Sequence, residues 1–203
     1  MLLVMRDHVN LCKSIHLPLQ AGSDRILKRM NRTYTRNEYL MLVDQIRNIL
    51  PGCGLTTDII VGFPGETQKD FEKTLAVMEE VKFDSAFTFK YSPRPGTKAS
   101  EYEAVVPEKE KQVRLDELLA LQKCHTLFRN SQEVGKTVDV LVEKESKKSS
   151  EQWAGRTDNN KWVVFSKENA EIGEIVKVTI KDAKGITLFG ELLKNQENAD
   201  AIA

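Results

Sequence analysis

Between residues 14 and 130, short apolar runs alternate with stretches of helical periodicity, and that alternation commits the region to βα units around a parallel sheet. Residues 15–20 read as a first strand. Ser23 is placed to cap a short helix whose Ile26, Leu27 and Met30 share one face, and Thr35 with Glu38 forms a capping box for a second helix built on Tyr39, Leu42, Val43 and Ile46. Pro51 and Gly52 stop it. Residues 55–62 are a β-branched apolar run without alternation, which predicts a strand covered on both faces. Thr67 and Asp70 cap the next helix, which turns Phe71, Leu75 and Met78 inward. Phe87, Phe89 and Tyr91 alternate with Thr88 and Lys90 as a further strand, ending in a turn over residues 92–97. Pro107 opens a long helix with Glu108 and Glu110 in its first turn and Leu115, Leu118, Leu119 and Leu127 as its apolar side.

After residue 131 the texture changes. Val138, Val140 and Val142 alternate with polar residues, and further short strands at 162–165, 175–180 and 186–192 are separated by polar or glycine turns. About five short strands in roughly sixty residues predict a small OB-like barrel. The expected domains are therefore an α/β unit over residues 1–130, an all-β unit over 131–194 and a loose tail over 195–203. Three βα units cannot close a barrel and leave a sheet edge unprotected, so a missing upstream portion is expected, and dimerisation or strand exchange through the open edge is an outcome this topology permits.

Lysine plus arginine equals aspartate plus glutamate at 30 each, so no global positive field marks a nucleic-acid binder, and any such role rests on local patches. No apolar run approaches the roughly 18 residues of a membrane span, and no secretory leader is legible, which makes the cytoplasm the default. Cys12, Cys53 and Cys124 lie far apart and His8, His16 and His125 are isolated from one another, so no metal site is expected in this chain. The glycine-rich nucleotide loops, HExxH and GxSxG are absent.

In parallel α/β architectures, ligands meet residues at the carboxyl ends of strands, and three segments qualify. In the first, HLPLQAGSDRILKRMNR, Gln20 ends a strand and Arg25, Lys28, Arg29, Arg32 and Arg36 follow. A glutamine amide pairs with ribose hydroxyls and an arginine grips a carboxylate, so the segment suits a ligand carrying both; a solvated basic helix face is the competing reading. In the second, TDIIVGFPGET, Asp58 sits in an apolar strand and needs a partner, either a ligand or an internal group, while Gly62, Pro64 and Gly65 turn the backbone closely. In the third, FKYSPRPGTKA, Arg94 lies between prolines in a loop that suits either substrate specificity or an ordinary tight turn.

Taken together, HLPLQAGSDRILKRMNRTYTRNEY, TDIIVGFPGET, DFEKTL, FKYSPRPGTKAS and GRTDNNKWVVF resemble the second half of the tRNA methylthiotransferases of the MiaB type, over residues 15–194. The resemblance implies the C-terminal part of a parallel radical S-adenosylmethionine (βα) barrel, followed by an RNA-binding, OB-like TRAM barrel. By position, Gln20 resembles a residue contacting the ribose of S-adenosylmethionine, Arg32 one near its methionine carboxylate, and Asp58 a ribose-side residue. The implied reaction is methylthiolation at C2 of N6-isopentenyladenosine beside the anticodon of tRNA, the activity of a tRNA-2-methylthio-N6-dimethylallyladenosine synthase. The implied partners are the anticodon stem-loop and a reducing system. Related targets are threonylcarbamoyl-adenosine in tRNA and an aspartate of a ribosomal protein; a non-catalytic RNA-binding adaptor is the reading from a different class. The family holds two four-iron four-sulfur clusters on cysteines that have no counterpart here, so no deoxyadenosyl radical would form and the chain alone is expected to be colourless, inactive and without catalytic residues of its own.

For the β unit the charge count is balanced, with eleven basic and eleven acidic residues over 131–194. Arg156, Lys161 and Trp162 fall on an expected exposed hairpin where a base could stack on the indole; the alternative is that Trp153 and Trp162 both fill the barrel. Weak RNA binding is expected from this unit alone.

Overall fold

The computed structural model describes residues 1–193, so the expected tail over 195–203 lies outside the described residues. The chain divides into a unit Met1–Arg129 and a second that begins at Asn130.

The first unit is built on a three-stranded parallel sheet in the order β1 (Ser14–His16), β2 (Gly54–Val61), β3 (Ser85–Lys90). Its helices are α1 (Leu2–Asp7), α2 (Asp24–Arg29), α3 (Arg36–Ile49), α4 (Gln68–Val81) and α5 (Glu108–Ser131). Crossovers of the usual right hand that always step in one direction put their helices on a single face. Tyr39, Val43 and Ile46 of α3, Phe71, Val77 and Met78 of α4 and Leu118 of α5 accordingly form one core with Ile15, Leu55, Ile59 and Val61. The other face carries His16, Thr56, Asp58, Ile60, Phe87 and Phe89 in register. It is bare enough that Phe87 and Phe89 are 55% and 52% exposed.

This corrects one expectation: the strand over residues 55–62 is covered on one face only, because burial alternates along β2. The three parallel strands form an open sheet, as expected of too few βα units to close a barrel.

The first strand is also shorter than residues 15–20. Pro18 has no N–H to give to the ladder, so the chain leaves the sheet after His16. It rejoins at Gln20, whose N–H donates to the Asp58 carbonyl at 2.8 Å and whose carbonyl accepts from Ile60 at 2.9 Å. Gln20 adopts φ 65° to make that return. Backbone groups in the excursion still need partners, and local side chains supply some of them. Tyr34 Oη donates to the Pro18 carbonyl at 2.9 Å, Tyr39 Oη to that of Leu17 at 2.7 Å, and the Leu19 N–H reaches Thr57 Oγ1 at 2.9 Å.

Both expected capping boxes, Thr35 with Glu38 and Thr67 with Asp70, are present. Ser23 stands at the N-cap of α2 but its hydroxyl donates instead to Asp70 Oδ1 at 2.6 Å. On α5, Leu119 and Leu127 are exposed, because much of the helix's inward stripe is polar: Lys111, Arg114, Gln122, His125 and Thr126 are all buried.

The second unit is a closed barrel of β4 (Thr137–Ser146), β5 (Ser149–Thr157), β6 (Trp162–Ser166), β7 (Ile175–Lys184) and β8 (Thr187–Leu192) in the order β4-β5-β6-β8-β7. The β6–β8 seam is parallel and the other pairings are antiparallel. A five-stranded closed sheet of this order is OB-like. Val140, Val142, Val163, Phe165, Val178, Ile180 and Leu188 fill it. Gly155 lets β4 and β5 approach, since a Cβ there would lie 2.2 Å from the Leu141 carbonyl oxygen.

Candidate functional site

A cleft of about 1020 Å³ opens at the carboxyl ends of the three parallel strands, and Gln20, Arg32, Asp58 and Arg94 all line it. Gln20 enters from the kink after β1 and is buried. Asp58 comes from β2 and has an internal partner, His16 Nε2, 3.3 Å from its Oδ2; the other ring nitrogen of His16 is 2.9 Å from Thr56 Oγ1. Arg32 follows α2 and is exposed, as is Arg94 in the loop after β3.

The wall of the cleft behind β2 is a turn tied from below. Gly62 and Gly65 take φ of 72° and 81°, a region where only glycine sits without strain. Glu66 Oε2 accepts from the Gly62 N–H at 2.6 Å and lies 2.7 Å from Arg114 Nη1. The side chains of Glu66 and Arg114 are 1% and 2% exposed. Burial pushes the Glu66 carboxyl up, against the opposing pull of the Gly62 N–H and Arg114. Phe63 then projects into edge-on contact with Tyr91 and Tyr102, at centroid distances of 5.0 and 6.2 Å.

Of the five bases near α2, three serve the fold. Arg25 pairs with Asp70, Arg36 with Glu80 at 3.4 Å, and Arg29 donates to the Pro64 carbonyl at 3.1 Å while lying 4.5 Å from the centre of the Tyr102 ring. Lys28 and Arg32 remain on the cleft. Burial alone would push the Asp70 carboxyl up, yet bonds from Arg25, Ser23 and Thr67 hold it well below the usual carboxylate range. Sequence reasoning missed Arg114 and its bond to Glu66, and nothing in the local pattern of α5 advertised a buried arginine. It also set His16 aside, although a histidine two residues before Pro18 on a strand facing Asp58 is recoverable once the pairing is known.

In the second unit, Trp153 packs on the core and donates from Nε1 to the Ala170 carbonyl at 2.7 Å. Trp162 lies outside that core, with Lys144 and Arg156 at 4.4 and 4.7 Å from its ring centre. A second cavity of about 320 Å³ is lined by Trp162, Phe189, Lys144, Lys147 and Lys148. Lys161 departs from the expected hairpin surface: it is buried, with Nζ 3.0 Å from Asn130 Oδ1, because the Thr157 to Lys161 turn directs it inward. Among the described residues no group of three His, Cys, Asp or Glu side chains is placed to hold a metal.

A cleft at the carboxyl ends of a parallel sheet, followed along the chain by an OB-like barrel, defines an α/β unit with a β-barrel appendage. Residues 1–78 match the radical SAM superfamily and residues 131–193 the TRAM domain. The chain is 49% identical over 195 residues to the tRNA-2-methylthio-N(6)-dimethylallyladenosine synthase of Christiangramia forsetii, covering 96% of this chain and 40% of that protein. The enzymes of the same name from Azobacteroides pseudotrichonymphae and Porphyromonas gingivalis are 51% and 49% identical, over 93% and 94% of this chain and 42% of each relative. A solved structure of a conserved protein from Methanococcus maripaludis gives a TM-score of 0.26 at 27% identity, over 30% of this chain and 81% of its own, below the level at which a shared fold follows. The chain is thus similar over nearly all its length to enzymes of that name, carries a radical SAM superfamily match followed by a TRAM domain, and spans about 40% of the length of these relatives.

Proposed function

We propose that this chain forms the cofactor-binding and RNA-binding portion of a cytoplasmic tRNA-2-methylthio-N6-dimethylallyladenosine synthase. The observation that carries the reading is the convergence of Gln20, Arg32 and Asp58 on one cleft in a chain about half identical to enzymes of that name. The side chains suit S-adenosylmethionine: the Gln20 amide and Asp58 carboxylate for ribose hydroxyls, the Arg32 guanidinium for the methionine carboxylate. When bound, S-adenosylmethionine supplies the methyl group and the one-electron chemistry after which its superfamily is named. The protein's part is to orient it. His16 holds Asp58, the Glu66–Arg114 pair holds the turn that presents Phe63, and the aromatic wall of Phe63, Tyr91 and Tyr102 keeps water from one side.

The residues described do not fit an iron-sulfur cluster, since Cys12, Cys53 and Cys124 occur singly and only Cys53 is buried. In this reading both clusters and the contacts to the reductant belong to a preceding portion of a longer polypeptide, which also completes a barrel over the bare face of the sheet. Finding CxxxCxxC in the coding sequence upstream of Met1 is the expected result. The TRAM barrel contributes RNA contacts through Trp162, Arg156 and the neighbouring lysines.

The deciding experiment supplies the reconstituted full-length enzyme with isopentenyl-modified tRNA, threonylcarbamoyl-modified tRNA and the ribosomal protein in parallel. A 2-methylthio product on the first alone is expected; methylthiolation of the ribosomal protein alone rejects the assignment. Tight, tRNA-selective binding by this chain without cofactor, and no product from any substrate, would favour an RNA-binding adaptor.

A further inference from the structure

The cleft of the first unit holds more positive charge than its proposed cofactor can use. Six cations line it, Lys28, Arg29, Arg32, Lys90, Arg94 and Lys98, against the single carboxylate of Asp58, in a chain whose cations and acids balance at 30 each. S-adenosylmethionine brings one carboxylate together with an ammonium and a sulfonium, so it is net cationic. Beyond the one guanidinium that engages the carboxylate, such a field works against it.

Three of the six are accounted for. Arg32 serves the carboxylate in the reading above, Arg29 is tied to Pro64 and Tyr102, and Lys90 is held by Glu108 at 2.5 Å and by Gln112 at 3.1 Å. Lys28, Arg94 and Lys98 are exposed and have no ion-pair partner among the described residues. They come from two separate elements, α2 and the loop with its 3₁₀ turn Lys98–Glu101 after β3, so the surplus is not the solvated side of one helix. Ile60 and Phe89 add an apolar floor to the same cleft.

We propose that Lys28, Arg94 and Lys98 form a phosphate-holding rim that docks the sugar-phosphate backbone of an RNA over the cleft; this rests on the tRNA-modifying reading above. Cations on two elements bordering one opening match a ligand with repeated charges better than a single small anion. Each phosphate they neutralise releases counterions and adds a salt-dependent share of affinity. The floor of Ile60 and Phe89 then suits the face of a base lifted out of its stack.

The test is the affinity of this 203-residue chain for an anticodon stem-loop RNA across a series from about 50 to about 200 mM salt. The Lys28→Gln/Arg94→Gln/Lys98→Gln variant is expected to lose about two from the slope of log affinity against log salt, and at least about tenfold in affinity at the low-salt end. Charge-preserving Lys28→Arg/Lys98→Arg keeps the parent slope. A triple variant with unchanged slope overturns the proposal, as does a parent chain that fails to bind at the lowest salt. The substrate assay separates the two readings. Modified tRNA with an unchanged slope rejects the rim alone, whereas a reduced slope with product only on the ribosomal protein rejects the substrate and leaves the rim as an RNA contact.

Discussion

His16 on β1 reaches across to Asp58 on β2, Nε2 to Oδ2 at 3.3 Å, and so fixes the carboxylate at the edge of the cleft. A carboxylate held by one neighbour keeps lone pairs for a second donor, which is the arrangement a ribose-binding acid needs. His16→Leu removes the tether and one hydrogen bond without touching the core. Binding of S-adenosylmethionine, followed by calorimetry, is expected to weaken about three- to tenfold with an unchanged circular dichroism spectrum. Unaltered affinity would show that Asp58 needs no such support or takes no part.

The Glu66–Arg114 pair predicts a large and asymmetric stability effect. Arg114→Met leaves a carboxyl buried opposite an apolar chain, and denaturant unfolding is expected to register a loss of about 3–5 kcal/mol. Glu66→Leu/Arg114→Met removes both charges and recovers most of it. A single variant as stable as the parent would mean that water reaches the pair.

Asp70 gives the chain a component of acid lability. Its folded-state pKa lies below that of the unfolded chain, so the unfolded state binds the proton first and stability is lost as the pH falls. The contribution is complete above the ordinary carboxylate value of about 4 and disappears as the pH drops through the depressed one. Asp70→Asn is therefore expected to be the less stable protein at neutral pH, with the gap to the parent narrowing below about pH 4. Parallel stability curves for the two proteins would contradict this.

Gly22 leaves no room for a side chain. A Cβ there would lie 2.4 Å from the Lys73 carbonyl oxygen and 2.5 Å from Thr74 Cα, both backbone atoms of α4. Gly22→Ala is expected to cost about 1–3 kcal/mol and to lower Tm. The loop carrying Gln20 would be the first segment to lose hydrogen-exchange protection.

The two capping boxes were legible because Thr35–Glu38 and Thr67–Asp70 each satisfy their helix ends locally, within four residues. The OB-like barrel was legible because alternation along its strands survives closure. The kink at Gln20 was not, since it depends on tyrosines 34 and 39 arriving from elsewhere to bond the carbonyls that Pro18 displaces. The polar stripe of α5 was hidden for the same reason. Leu119 and Leu127 carry the apolar signal, while Arg114 is buried between Glu110 of its own helix and Glu66, 48 residues away. Lys161 misled because a turn lysine is ordinarily solvated, whereas here the turn directs it inward to Asn130 Oδ1. At the cleft, residue types suggested the chemistry, but the surplus of cations over acids appeared only once α2 and the loop after β3 were brought side by side.

The parallel seam between β6 and β8 governs when the second unit can take shape during synthesis. β8 is the staple that joins β6 to β7, so a nascent chain stopped before Thr187 holds four strands of a curled sheet with two unpaired rims and an unsealed interior. The three strands of the α/β unit have all emerged by Lys90, and the described core residues of that unit end within α5, well before β8 is made. Translation therefore delivers the cleft before the barrel, and a premature stop within the last strand would yield a folded α/β unit carrying an adhesive, unfinished β unit.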